Sequence, residues 1–256
     1  MRLHSIALAA GRQITIYVPE SVRRRRRRRY PLLILHDGQN LFDPARAYVP
    51  GQYWRVGEIA DELIAARRIP PIIICGFDHG GPDRIREMTP TPGPNGDGGG
   101  AAAYTRMLGE ELLPLLRREF PIERDRRQIG LGGASLGGLV TLFAATQRPD
   151  LFGKLLVMSP SVWWDQRVIL DLLARRPEAL AGSRMWVDIG LREGVRAVAD
   201  TRRLVRTLTR LKLPVRAEPL AFSYVEDALG DHSELAWAGR LPRALMYLWP
   251  SVPRTS

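Results

Sequence analysis

The stretch that most restricts this chain is Leu131 to Val140, LGGASLGGLV, which sets one serine among glycines at Gly133-Ala134-Ser135-Leu136-Gly137. A short apolar run, Gln128 to Leu131, precedes it, and a helix-like run, Leu139 to Gln147, follows. A serine on a sharp strand-to-helix turn needs backbone angles that L residues avoid, and flanking glycines remove the Cβ atoms that would collide with the adjoining elements. The same turn puts the Leu136 N–H at a helix start, where it can face an anion beside the serine hydroxyl. The pattern is short, and glycine-rich turns contain it by chance, so partners elsewhere decide its meaning. Phosphate loops explain it less well: no G-x-x-x-x-G-K-[ST] occurs, and Gly130-Leu131-Gly132-Gly133-Ala134-Ser135 lacks the third glycine of a dinucleotide fingerprint.

The surroundings alternate strand and helix. Residues 2–19 predict two antiparallel strands turning at Ala10-Gly11, the second alternating polar and apolar from Gln13 to Val18. Tyr30 to Leu35 and Pro70 to Phe77 are continuous apolar runs, as expected of strands covered on both faces. Further strands are expected at Lys154 to Met158, Arg184 to Gly190 and Val215 to Phe222. Helical spacing covers Trp54 to Arg67, Ala102 to Arg118 with a kink at Pro114, Val195 to Leu211 and His232 to Trp249. The connection from Asp78 to Gly100 is about twice the usual loop length, which suggests a functional loop. This order predicts one α/β domain over residues 1–256, with a mostly parallel central sheet flanked by helices and antiparallel strands at the N-terminus.

Composition limits the alternatives. With 45% hydrophobic and 25% charged residues and no run of ~18 apolar residues, the chain reads as an ordinary soluble protein without a membrane span. No cleaved leader is expected at the N-terminus, and the single cysteine, Cys75, read as a buried small hydrophobe, forms no internal disulfide, consistent with a cytoplasmic setting. The net charge of +11 and the run Arg23 to Arg29 raise an anion- or nucleic-acid-binding reading. Only two basic residues are lysines, however, so the excess looks like arginine bias spread along the chain. The run has no interleaved aromatics to stack on bases, and a solvated loop between two strands is expected with no nucleic-acid partner.

Partners for Ser135 follow from chain order. In an α/β-hydrolase arrangement, the acid and then the histidine come after the serine. Of the four histidines (4, 36, 79 and 232) only His232 does. The acid is expected in the turn Leu191-Arg192-Glu193-Gly194, which makes Glu193 the first choice. Asp188, inside the strand, is the alternative and would need its own buried partner. The second oxyanion donor is expected after the third strand, at the Gln39 N–H or its neighbour Gly38, opposite the Leu136 N–H, with His36 bracing that loop.

The chain resembles the putative esterase family of α/β-hydrolases, which takes in enterochelin esterases, esterase D and feruloyl esterases. The likeness runs along nearly the whole chain. It rests on His36-Asp37-Gly38-Gln39-Asn40-Leu41-Phe42-Asp43, Arg84-Ile85-Arg86-Glu87-Met88-Thr89-Pro90, Gly98-Gly99-Gly100 to Tyr104, GGASLGGL, Phe152-Gly153 through Ser159-Pro160-Ser161-Val162-Trp163-Trp164, and His232-Ser233-Glu234 with Trp237 and Arg240-Leu241-Pro242. The resemblance implies a serine carboxylic-ester hydrolase with Ser135 as nucleophile, His232 as base and Glu193 as acid, although some relatives work with a Ser-His dyad. The substrate is a small-molecule ester of unspecified kind, and neither cofactor nor metal is implied. Arg84, Trp163 and Trp164 are candidate substrate contacts, with an Arg84–Glu87 ion pair and plain packing of the tryptophans as the structural readings. An acyltransferase on the same residues and an arginine-rich binding protein on an inactive scaffold are the alternatives.

Overall fold

A computed structural model describes residues 1–24 and 28–251. In chain order its strands and helices are β1 (Arg2–Ser5), β2 (Ala10–Tyr17), α1 (Glu20–Arg24), β3 (Leu32–His36), α2 (Val56–Ala65), β4 (Ile73–Phe77), α3 (Arg84–Met88), α4 (Ala101–Met107), α5 (Leu113–Glu119), β5 (Ile129–Ala134), α6 (Leu136–Gln147), β6 (Lys154–Met158), α7 (Val168–Arg175), β7 (Arg184–Gly190), α8 (Val195–Arg210), β8 (Ala221–Asp227) and α9 (Glu234–Leu248). The strands form one sheet in the order β1-β2-β4-β3-β5-β6-β7-β8. The β1–β2 and β2–β4 pairs are antiparallel, and all others are parallel. This is the α/β-hydrolase architecture expected from the sequence.

The central strands are apolar without interruption because both faces are covered. Leu32 and Ile34 of β3 point into the larger core, with α4 to α7, while Leu33 and Leu35 point into the smaller one, with α2 and α9. Helix α6 lies at the centre and is buried from Leu136 to Thr146, so its sequence carries no polar face.

Several boundaries differ from the sequence reading, each for a local reason. The first turn is Ile6–Ala9 rather than Ala10-Gly11, because the Glu111 carboxylate accepts from the Ile6 and Ala7 N–H groups at 3.2 and 2.8 Å, and Ser5 Oγ accepts from Leu8 at 3.0 Å. Gly11 is then a paired strand residue opposite His4. The long helix around Pro114 is divided into α4 and α5 by a wide π-type turn at Leu108–Leu112, which accommodates a residue without an N–H. Arg23 and Arg24 end the short helix α1 rather than belonging to a loop, and residues 25–27 of the arginine run lie outside the described residues. The last strand begins at Ala221 rather than Val215, which is fully exposed. That offset matters for the site: Asp227 pairs with Gly190, so β7 and β8 end level and the loop bearing His232 starts beside the turn bearing Glu193.

Candidate active site

Ser135 joins β5 to α6 with φ 59° and ψ −122°, a conformation costly to any residue with a Cβ. Tight packing on every side holds it there. A Cβ on Gly133 would lie 3.2 Å from His36 Cβ, and one on Gly138 would lie 3.1 Å from the Met158 carbonyl. The backbone is pinned as well: Ser135 N–H donates to Met158 O at 3.1 Å, and its carbonyl accepts from Ser161 and Leu139 at 3.0 and 3.1 Å. The hydroxyl projects beyond the carboxyl end of the sheet, where open α/β folds bind ligands. Its hydrogen-bond partner is the Ser161 hydroxyl at 3.2 Å; none of the described hydrogen bonds joins it to His232.

Glu193 occupies the turn after β7 and is 1% exposed. Its Oε1 accepts from the Gly190 N–H at 2.8 Å and the Ser159 hydroxyl at 2.5 Å, and its Oε2 faces His232 Nδ1 at 2.6 Å. A carboxylate can only accept, so Nδ1 carries the hydrogen and Nε2 presents its lone pair. The imidazole is 47% exposed and stands edge-on against Trp237, with centroids 4.9 Å apart. The structure therefore brings Glu193, and not Asp188, to the histidine.

Asp188 has the separate buried partners its place in the strand requires. It accepts from Trp186 Nε1 at 2.7 Å and from Arg240 Nε at 3.0 Å. Burial pushes its carboxyl up to about 6, with Arg240 acting in the opposite sense. Arg240 is itself buried. Its Nη2 donates to Ser159 Oγ at 2.9 Å and stands 3.6 Å from Glu193. Ser159, at φ 42°, also accepts from Trp237 Nε1 at 2.9 Å. Ser159, Trp237 and Arg240 thus support the Glu193–His232 pair. Sequence reasoning quoted all three within its motifs and gave them no role, because their convergence depends on a left-handed serine that no residue pattern announces.

The loop after β3 forms the opposite wall. Asp37 adopts a left-handed conformation, φ 57° and ψ 46°. Both its oxygens accept from Arg84, each at 2.7 Å. Burial raises the Asp37 carboxyl, but the guanidinium fork outweighs it and holds the group below the usual carboxylate range. A Cβ on Gly38 would lie 2.6 Å from the Gly76 carbonyl carbon, so only glycine fits. The single helical turn that follows uses the N–H groups of Asn40 and Leu41, leaving that of Gln39 outside its pattern. Leu136 is the first residue of α6, where an N–H has no acceptor within the helix. His36 lies beneath, buried between this loop and the elbow. Its Nδ1 meets Tyr104 Oη at 2.9 Å, and burial lowers its pKa to about 4, which keeps the ring neutral.

The remaining candidates separate. The expected Arg84–Glu87 ion pair is replaced by two others, because Asp37 takes Arg84 and the buried Arg12 takes Glu87. Trp164 is 5% exposed, donates to the Thr91 carbonyl at 2.9 Å and packs beneath the 91–98 loop. Trp163, its neighbour, is 56% exposed and offers a free face. Cys75 is buried, and burial pushes its thiol well above the ordinary range.

The chain matches the "Putative esterase" family over residues 5–248. It is similar to the iron(III) salmochelin esterase of Escherichia coli O6:H1, 31% identical over 166 residues that make up 63% of this chain and 36% of that protein. It is also similar to the iron(III) enterobactin esterase of Escherichia coli K12, 26% identical over 216 residues, or 80% of this chain and 50% of that protein. The chain therefore spans half or less of these two relatives. Its fold is similar to that of an IroE-like serine hydrolase from Shewanella oneidensis, with a TM-score of 0.77 and 22% identity over 97% of this chain and 79% of that one. Among the described residues no helix is long and apolar enough to cross a membrane. Matched along almost its whole length, the chain belongs to the "Putative esterase" family, carboxylic-ester hydrolases built on the α/β-hydrolase fold.

Proposed function

We propose that the protein hydrolyses carboxylic esters through an acyl-enzyme on Ser135. Ser135 Oγ attacks the ester carbonyl carbon while its proton passes to His232 Nε2, giving a tetrahedral oxyanion. The N–H groups of Gln39 and Leu136 donate to that oxyanion, each such donor being worth ~3 kcal/mol of barrier. The imidazolium then protonates the departing alcohol oxygen, and the C–O bond breaks. Water repeats the sequence on the acyl-enzyme, returning the serine and releasing the acid. Glu193 orients the ring and balances its transient charge.

The observation that supports this reading best is the 2.6 Å Glu193–His232 contact, made in a chain that also holds Ser135 on a strand-to-helix turn at φ 59°. The Ser135 hydroxyl turns from Ser161 toward Nε2 when substrate enters, since hydrogen bonds of this kind often tighten only in the complex. The names of the two relatives make an iron-siderophore ester the first natural substrate class to try. The test is hydrolysis of p-nitrophenyl esters from acetate to decanoate by the protein and by Ser135→Ala, with fluorophosphonate labelling alongside. A rate loss on the order of a million-fold and loss of the label are expected. Undiminished hydrolysis by Ser135→Ala would reject the mechanism.

A further inference from the structure

At the opposite end of the strands from Ser135, the described residues border an open cleft of about 1230 Å3. Arg28, Arg29, Arg67, Lys154 and Arg184 line it, together with Arg24 and the carboxylates Glu20 and Glu123. Among the described residues, the ion pair within the cleft is Arg24 to Glu20 at 3.0 Å, and none of the five other cations is paired with a carboxylate. Two of them are fixed side by side. Lys154 and Arg184 open β6 and β7 and are Cα partners in the parallel register, so they project from the same face with Cβ atoms roughly 5 Å apart. Like charges directly opposite one another weaken a sheet.

Both cations are also held in place. Lys154 Nζ lies 5.6 Å from the Trp249 ring centre, and the Arg184 guanidinium lies 5.2 Å from that of Tyr247, whose carbonyl it reaches at 3.1 Å. Burial first, and Arg184 second, lower the Lys154 ammonium to about 8, with Asp125 acting in the opposite sense. Trp249, which also borders the cleft, carries a buried indole N–H without an acceptor among the described residues. The fold thus positions two neighbouring cations, neither in an ion pair with a carboxylate among the described residues, in a concavity large enough for a small molecule.

We propose that this cleft binds a small multivalent oxyanion, a compound carrying phosphate or several carboxylate groups, with Lys154 and Arg184 at its floor and Arg28 and Arg67 at its rim. Guanidinium forks match phosphate and carboxylate oxygens alike, and the ligand's charge removes the repulsion between the paired strand residues. The site is separate from the ester site. Lys154 begins β6 and Ser159 follows its end, five residues or about 16 Å away.

The test is calorimetric titration of the full chain at low salt with pyrophosphate, with citrate and with duplex DNA, repeated on Lys154→Met, which keeps the buried stem, and on the exposed double change Arg28→Gln, Arg67→Gln. One-site saturable binding is expected, weakened about tenfold to a hundredfold in each variant, while p-nitrophenyl acetate hydrolysis is unchanged. Preference for pyrophosphate would assign a phosphate ligand, and preference for citrate a polycarboxylate. Three results would overturn the proposal: no saturable binding of either anion, variants that bind as well as the parent, or binding confined to duplex DNA.

Discussion

Replacing Arg240 by methionine tests the charge arrangement behind the candidate site. The side chain is 5% exposed, and it lies 3.0 Å from Asp188 and 3.6 Å from Glu193, which are themselves buried. Removing one partner of a buried ion pair costs about 3–5 kcal/mol, because the charge left behind is uncompensated. At about 2–4 °C per kcal/mol for a chain of this size, the melting point should fall by roughly 6–20 °C near pH 8. The loss should depend on pH with a definite sign. The Asp188 carboxyl is raised from 3.8 to about 6 in the folded protein, so its stabilising increment is complete below about pH 4 and lost as pH rises through 6. That displacement corresponds to about 3 kcal/mol. Without Arg240 the carboxyl rises further and is neutral over a wider range, so the variant's deficit should shrink toward the ~1–3 kcal/mol of lost hydrogen bonds near pH 5. Urea unfolding of both proteins at the two pH values measures this. A deficit independent of pH, or one below ~1 kcal/mol at pH 8, would refute the reasoning.

Gly38→Ala drives a Cβ to 2.6 Å from a backbone carbon that cannot turn aside, so a stability loss of about 3 kcal/mol and loss of esterase activity are expected together, read by thermal unfolding and p-nitrophenyl acetate hydrolysis. Ser161→Ala removes the partner of the Ser135 hydroxyl; on the proposed mechanism kcat should change less than about tenfold, and a loss near a thousandfold would make Ser161 part of the machinery. Trp163→Ala should raise KM for long acyl esters while leaving acetate hydrolysis near the parent rate, since the ring is exposed. Trp164→Ala should instead lower stability by about 3–5 kcal/mol, which calorimetry would distinguish.

The sheet was legible wherever a strand is covered on both faces, because β3, β4, β6 and β7 are then mostly apolar runs, β7 being broken only by Asp188. The edge was not. β8 is only partly buried, and its half-apolar residues 221–227 follow a proline-containing segment of similar hydropathy, so periodicity alone misplaced its start. Glu193 was accessible to reasoning because a turn after a strand frees a carboxylate from the ladder, whereas Asp188 had to find a partner inside the core. That partner, Arg240, lies 52 residues along the chain and is reached only through packing of α9 on the sheet. The same holds for Arg84, which the sequence pairs with nearby Glu87 and the fold delivers to Asp37, 47 residues away.

The arrangement of charge also bears on when the proposed base can act. Three carboxylates, Asp188, Glu193 and Asp227, lie within 3.6 Å of one arginine, so with Asp188 ionised the cluster holds an excess of negative charge for the imidazolium that forms as Ser135 attacks; such preset charge favours the transition state over the ground state. Below about pH 6 Asp188 takes a proton, and the cluster loses one negative charge. Asp188→Asn makes the neutral form permanent while keeping the side chain's shape. The ratio of parent to variant kcat/KM should then be near 1 at about pH 5 and rise to a plateau above about pH 7, where only the parent retains the charge. A pH–rate profile of both proteins with one p-nitrophenyl ester measures the ratio directly. A ratio that stays constant across the range would mean that Asp188 acts through packing alone, and the electrostatic role assigned to the Arg240 cluster would have to be given up.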